Sequence, residues 1–189
     1  MDLVSRAKNM LLSPKSEWPV AAAESTDIKG LYTGYIMVLA AIPPLCGWLG
    51  FALLFHRIGI GPGLGLLAAL VRYVLALAGV YVLAIIASKL APTFGGRDDM
   101  NQGLKLIAYS ATAAWVSGVL LLLPILAMLS LLLSLYSLYL LYLGVTPTMG
   151  VPAERAVPYT VAMIVASVIV FALVAYLAGV LIVGGMLAL

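Results

Sequence analysis

The chain has 189 residues, 65% of them hydrophobic and only 9% charged, with a net charge of +3. A soluble domain carries about 45–50% apolar and about 25% charged residues, so a water-facing exterior cannot be built from this composition. Most of the outside must face lipid, and no second regime of composition marks a separate soluble domain.

Residues 1–27 read as a distinct segment. Leu3, Val4, Ala7, Met10 and Leu11 recur at helical spacing, with Arg6 and Lys8 off the stripe. Ser13-Pro14 is expected to stop this amphipathic helix. Two placements are open for it. It can lie in the membrane surface, with Arg6, Lys8 and Lys15 near anionic headgroups and Trp18 in the interfacial aromatic belt. Alternatively, its stripe can pack on the ends of a helix bundle. The segment is too polar to contain a signal-peptide core, so insertion is expected to use the first span.

Residues 28–189 read as one transmembrane domain. A span needs about 20 apolar residues. The first covers 28–55, follows the helix-capping Asp27, and should kink at Pro43-Pro44. The second covers 64–90 and ends at Lys89, Pro92 and Gly95-Gly96. From Leu104 to Leu143 the chain is apolar for 40 residues, with no charged side chain after Lys105. A single helix of that length would be about 60 Å long, twice a hydrocarbon core of about 30 Å. Two passes are therefore required, 104–123 and 125–144, joined by a tight turn at Pro124. A fifth span covers 157–183. The fold class is all-α, a polytopic bundle of five transmembrane helices with an N-terminal interfacial helix.

Counting Lys and Arg in the short loops places eight on the N-terminal side and Arg57 on the other, with Arg72 inside the second span. The positive-inside rule then puts the N-terminus in the cytoplasm and the C-terminus outside.

Few residues are candidates for chemistry. All seven carboxylates fall on the cytoplasmic side of this topology, so His56, Arg57 and Arg72 have no acidic partner. They either converge on an anion or a lipid phosphate, or Arg72 is a snorkelling anchor near the outer interface. Gly59, Gly61, Gly63 and Gly65 read as a flexible turn. Ser130, Ser134 and Ser137 lie on one face of the fourth span, spaced for close helix-helix packing or for lining a solute path. Arg97, Asp98 and Asp99, with Arg6, Lys8, Lys15 and Trp18, form the largest polar surface on the inner side and the expected partner surface. One His and one Cys cannot build a metal site, and Cys46 alone excludes an intramolecular disulfide. No nucleophile motif is present, and the basic residues flank spans rather than forming a nucleic-acid patch. No cofactor is expected.

Three stretches together resemble the Yip1 family in its bacterial branch of small five-helix membrane proteins. They are Leu12-Ser13-Pro14-Lys15-Ser16-Glu17-Trp18-Pro19 with Gly30-Leu31-Tyr32-Thr33-Gly34-Tyr35; Leu90-Ala91-Pro92-Thr93-Phe94-Gly95-Gly96 with Ala108-Tyr109-Ser110; and Leu135 to Gly144 with Tyr159-Thr160. The resemblance implies five helices and a bacterial cytoplasmic (inner) membrane. Eukaryotic relatives are associated with vesicle trafficking and prenylated Rab GTPases, and no active site carries over. The expected function is a non-enzymatic protein that organises the membrane or recruits a partner through its cytoplasmic face. Membrane lipids, a second copy or another membrane or cytoplasmic protein are the expected partners. The alternative is a small oligomeric channel or transporter for an anion, small solute or lipid. Polar groups satisfied inside each subunit would favour the first; polar stripes facing a shared cavity would favour the second.

Overall fold

A computed structural model describes residues 2–55 and 62–187. Two short helices, α1 (Leu3–Leu12) and α2 (Pro14–Ala23), precede five that are long and apolar enough to cross a membrane. These are α3 (Ile28–Leu53), α4 (Gly65–Phe94), α5 (Met100–Leu122), α6 (Pro124–Met149) and α7 (Ala153–Gly184). No strand occurs among the described residues. The protein is an all-α polytopic transmembrane bundle of five helices.

Helix starts follow from local chemistry. The Asp27 and Asp99 side chains accept from the backbone N–H groups of Gly30 (3.0 Å) and Gln102 (3.1 Å), satisfying donors a helix start leaves orphaned. Pro14 ends α1, as expected, but it also opens α2. At a first helical position its missing N–H costs nothing and its fixed φ suits the helix.

Span α3 is the least regular. A π-helical turn occupies Tyr32–Ile36, and the helix breaks at Ala41 before resuming at Ile42. Pro43 and Pro44 cannot donate to the carbonyls one turn back, which accounts for a break at this place. The long apolar run turns where its length demanded. The last turn of α5 tightens to a 3-10 helix over Gly118–Leu122, Leu123 becomes extended, and Pro124 opens α6. The extended Leu123 (φ −115°, ψ 99°) is what a following proline imposes.

Some boundaries differ from the sequence expectation. Span α6 runs past Gly144 to Met149, because Gly144 is a packing position rather than a cap. The cap is Gly150, in the left-handed region at φ +67°. Span α7 starts at Ala153, and α5 at Met100, each earlier than its apolar run. Gly63 and Gly65 belong to the helix that begins at Pro62 instead of a flexible turn, while Gly59 and Gly61 lie outside the described residues.

Span α5 is the axis of the bundle. In its most apolar stretch 67% of residues are buried, against 11% in α7. Between helices in lipid, apolar burial alone supplies little driving force, so close approach depends on small residues. A Cβ on Gly103 would lie 2.7 Å from the Ala84 carbonyl of α4, and one on Gly118 would lie 2.7 Å from the Pro43 ring. One on Gly50 would lie 2.2 Å from the Leu121 carbonyl. Exposed Leu131, Leu132, Val168 and Ile169 cover the outer surfaces of α6 and α7.

Candidate functional site

The N-terminal end of the bundle is closed by α1 and α2. Pro14, Glu17, Trp18 and Ala21 are buried, a stripe at i, i+3, i+4 and i+7 that faces α5 and α6. Trp18 is fully buried, edge-on to Tyr109 at 6.1 Å between ring centroids. Its six-membered ring abuts Gly144, where a Cβ would lie 2.6 Å away, so only glycine leaves room for the indole. The indole N–H has no hydrogen-bond partner among the described residues. That loss costs about 1–3 kcal/mol, whereas burying 150–250 Å² of aromatic surface gains about 4–6 kcal/mol, so packing wins.

Beside Trp18 lies a polar cluster. Arg6, 3% exposed, donates to Glu17 at 2.5 Å and to Glu24, and its guanidinium lies 5.6 Å from the Tyr109 ring centroid. Asn9 donates to the second Glu17 oxygen at 3.2 Å. Lys105, 2% exposed, reaches up from α5 to donate to the carbonyls of Ala22 (3.3 Å) and Glu24. Gln102 also donates to Ala22, at 2.9 Å. A cation at the C-terminal end of α2 meets carbonyls that the helix leaves unpaired, and it complements the dipole. Two cations and two carboxylates cancel, which makes the burial tolerable. Tyr35 extends the network inward, sharing a 2.7 Å hydrogen bond with Thr112 and standing edge-on to Tyr109 at 5.0 Å. A cavity of about 150 Å³ lies between Arg6, Glu24, Tyr35 and Tyr109.

The loops at this end lock to one another. The Arg97 N–H donates to the Met149 carbonyl at 2.8 Å, joining the α4–α5 and α6–α7 connections. Asp98 accepts from Lys89 (2.6 Å) and Ser88 (2.5 Å). These two hydrogen bonds hold its carboxyl below the usual carboxylate range. Lys8, Lys15, Arg97, Asp98 and Asp99 are exposed. Arg6 and Trp18 are not. The surface expected to carry all seven residues therefore carries five. Arg6 and Trp18 instead hold the segment against the bundle, and Trp18 does not stand free for an interfacial belt.

At the opposite end, a cavity of about 620 Å³ opens between α3, α4 and the far part of α5. Pro43, Pro44, Trp48, Phe51, Ala68, Trp115 and Leu121 line it, with Arg72 as the one charged lining residue among the described residues. Arg72 makes no hydrogen bond or ion pair with any described residue. His56 and Arg57, expected to join Arg72, lie outside the described residues.

Several hydroxyls of the central helices are used within the subunit, while Ser110 is buried without a partner among the described residues. Ser130 donates to the Ser117 carbonyl at 2.9 Å, and the Ala114 N–H donates to Ser137 at 3.1 Å. Ser134 turns back to the Leu131 carbonyl of its own helix at 2.6 Å. Ser130 and Ser137 thus tie α6 to α5, while Ser134 does not. Among the described residues no group of three or more His, Cys, Asp or Glu is placed to hold a metal.

Sequence reasoning missed the burial of Glu17 and Lys105 and the part-burial of Glu24. The signal was present for Glu17, which shares helical spacing with Pro14, Trp18 and Ala21. For Lys105 it was not, since a Lys at a span's end reads as a topology marker.

Together these features define a polytopic helical membrane protein whose N-terminal segment is folded into one end of its bundle. The Yip1 domain family model matches residues 8–175, and the chain belongs to that family. It is 28% identical over 127 residues to the inner membrane protein YohC of Escherichia coli strain K12, covering 64% of this chain and 65% of that protein. The YohC protein of Escherichia coli O6:H1 strain CFT073 matches with the same identity and coverage. The chain thus spans just under two thirds of the length of these curated relatives. No solved structure matches.

Proposed function

We propose that this is a non-enzymatic protein of a bacterial inner membrane, with its N-terminus in the cytoplasm, that organises the bilayer or recruits a partner through its cytoplasmic face. One observation carries this reading: Thr112, Ser117, Ser130 and Ser137 of α5 and α6 spend their hydroxyls on hydrogen bonds inside the subunit, leaving Ser110 as the one buried hydroxyl of these spans without a partner among the described residues, too little to line a path. The far-end cavity reaches only to Ala40 on α3 and Ala76 on α4, short of the packed Tyr35–Tyr109 layer. What remains for recognition is the exposed polar rim of Lys8, Lys15, Arg97, Asp99, Glu154 and Arg155. Membership of the Yip1 family and the name of the YohC relatives support a membrane role and the inner-membrane setting.

The test places a photo-crosslinking residue singly at Lys8, Lys15 and Asp99, and at Val168 on the lipid-facing side, in cells at native expression. A discrete protein adduct at the rim positions and none at Val168 is expected. Adducts to lipid alone, combined with protein-dependent solute flux from liposomes, would replace this reading with transport.

A further inference from the structure

An arginine within a membrane span costs about 2.5–3.5 kcal/mol at the helix centre, and the cost falls when it reaches a headgroup or a counter-charge. Arg72 has no counter-charge among the described residues. Every carboxylate precedes α3, follows α4 or opens α7, all at the N-terminal end of the bundle. Depth supplies the alternative partner. At about 1.5 Å per residue, Arg72 stands about 26 Å along α4 from Lys89, which marks the N-terminal-side boundary. A hydrocarbon core of about 30 Å then leaves the guanidinium a few ångströms inside the far boundary, where lipid phosphates lie.

The surroundings of Arg72 add a second requirement. The cavity of about 620 Å³ beside it is walled by small and aromatic residues, among them Ala68, Trp48, Phe51 and Trp115. Such walls suit hydrocarbon, and beyond Arg72 and two indole N–H groups the described lining offers no donor to a free hydrated anion. Gly65 keeps the cavity open, since a Cβ there would meet the Trp48 ring at 2.9 Å. A single cation at the membrane boundary beside an apolar hollow matches an amphiphile with a phosphate at one end and acyl chains at the other.

We infer that Arg72 and the cavity between α3, α4 and α5 form a binding site for an anionic phospholipid of the far leaflet, with its phosphate on Arg72 and an acyl chain against Trp48 and Trp115. A guanidinium takes two phosphate oxygens at once, which a headgroup at this depth presents. The site is independent of the partner surface at the N-terminal end.

Two of the chain's three tryptophans line the cavity, so fluorescence reports on it directly. The protein is reconstituted into vesicles of phosphatidylcholine containing increasing fractions of phosphatidylglycerol, with bromine on the acyl chains of one lipid or the other. Brominated phosphatidylglycerol should quench at about fivefold lower fraction than brominated phosphatidylcholine, the factor that about 1 kcal/mol per cation supplies. Arg72→Ala should abolish the preference and Arg72→Lys should keep most of it, with helicity and melting retained in both. Ala68→Leu, which leaves the charge and narrows the hollow, should weaken quenching by both lipids. Equal quenching by the two lipids, or a preference that survives Arg72→Ala, overturns the site. Quenching unchanged in Ala68→Leu reduces Arg72 to a surface anchor and overturns the chain-binding half. Displacement by millimolar inorganic phosphate would assign the site to a free anion and overturn the lipid.

Discussion

At the N-terminal end, Arg6, Glu17, Glu24 and Lys105 bring opposite charges together around a fully buried tryptophan; at the far end, Arg72 lines a hollow with no described partner. The first arrangement can be completed by the chain itself, because α1 and α2 supply what α5 and α6 lack. The second finds no such completion among the described residues. The contrast separates residues that maintain the fold from residues left over for binding. It also explains why one Arg is legible as a site candidate and another, equally charged, is a structural pin.

The largest effect that would break this comparison lies at Trp18. Trp18→Ala removes the indole from its slot against Gly144 and should destabilise the protein by about 3–5 kcal/mol, read as a fall in thermal melting in detergent micelles. Phe51→Ala at the far-end cavity should cost less, about 1–2 kcal/mol, since that ring is 43% exposed and only partly packed. Equal losses at the two positions would show that the N-terminal segment is no more part of the fold than the cavity wall.

A smaller effect sharpens the picture. Gly144→Ala places a methyl group against the Trp18 ring and should cost about 1–3 kcal/mol through overpacking. Adding Trp18→Phe should recover part of that loss, because the smaller ring vacates the space. Simple additivity of the two substitutions would mean that the ring does not occupy the Gly144 slot.

The smallest effect concerns Asp98. Its folded carboxyl is held below the ordinary value by hydrogen bonds from Lys89 and Ser88. The contribution is therefore fully present above the unfolded carboxylate value of about 3.9 and is lost as pH falls through the lower folded value. Asp98→Asn should lower melting slightly at neutral pH, by the small amount expected of an exposed ion pair, and the two curves should converge below about pH 4, so that the variant's acid limb is flatter. An acid limb identical in the variant would assign that sensitivity to other carboxylates.

Much of the fold was legible in the sequence, and for reasons that can be named. The uncharged run from Leu104 to Leu143 is too long for one crossing, so Pro124 had to mark a turn, and the bundle turns there. Asp27 read as a cap because a short acceptor side chain before an apolar run has few other uses at that spot, and Asp99 caps α5 in the same way although the sequence reading did not single it out as a cap. Gly144 misled, because glycine ends helices and also admits large neighbours, and only the position of Trp18 distinguishes the two. Arg6 misled more deeply. Off the apolar stripe of α1, it reads as solvated, and its partners on α2 appear only once Ser13-Pro14 is known to connect two helices rather than end one. The site at the far end was half legible: a lone intramembrane cation could be seen, but the cavity beside it depends on helices meeting in space.

The insertion of Trp18 against Gly144 and Leu106 also sets an order of events during synthesis. Trp18 leaves the ribosome before any span exists, yet its slot is finished only when α6 has entered the bilayer. Throughout that interval the first two helices must wait with their apolar stripe and their charges uncovered. That contact is thus made by one of the first side chains translated, and it closes only on a chain whose third and fourth spans have inserted in register.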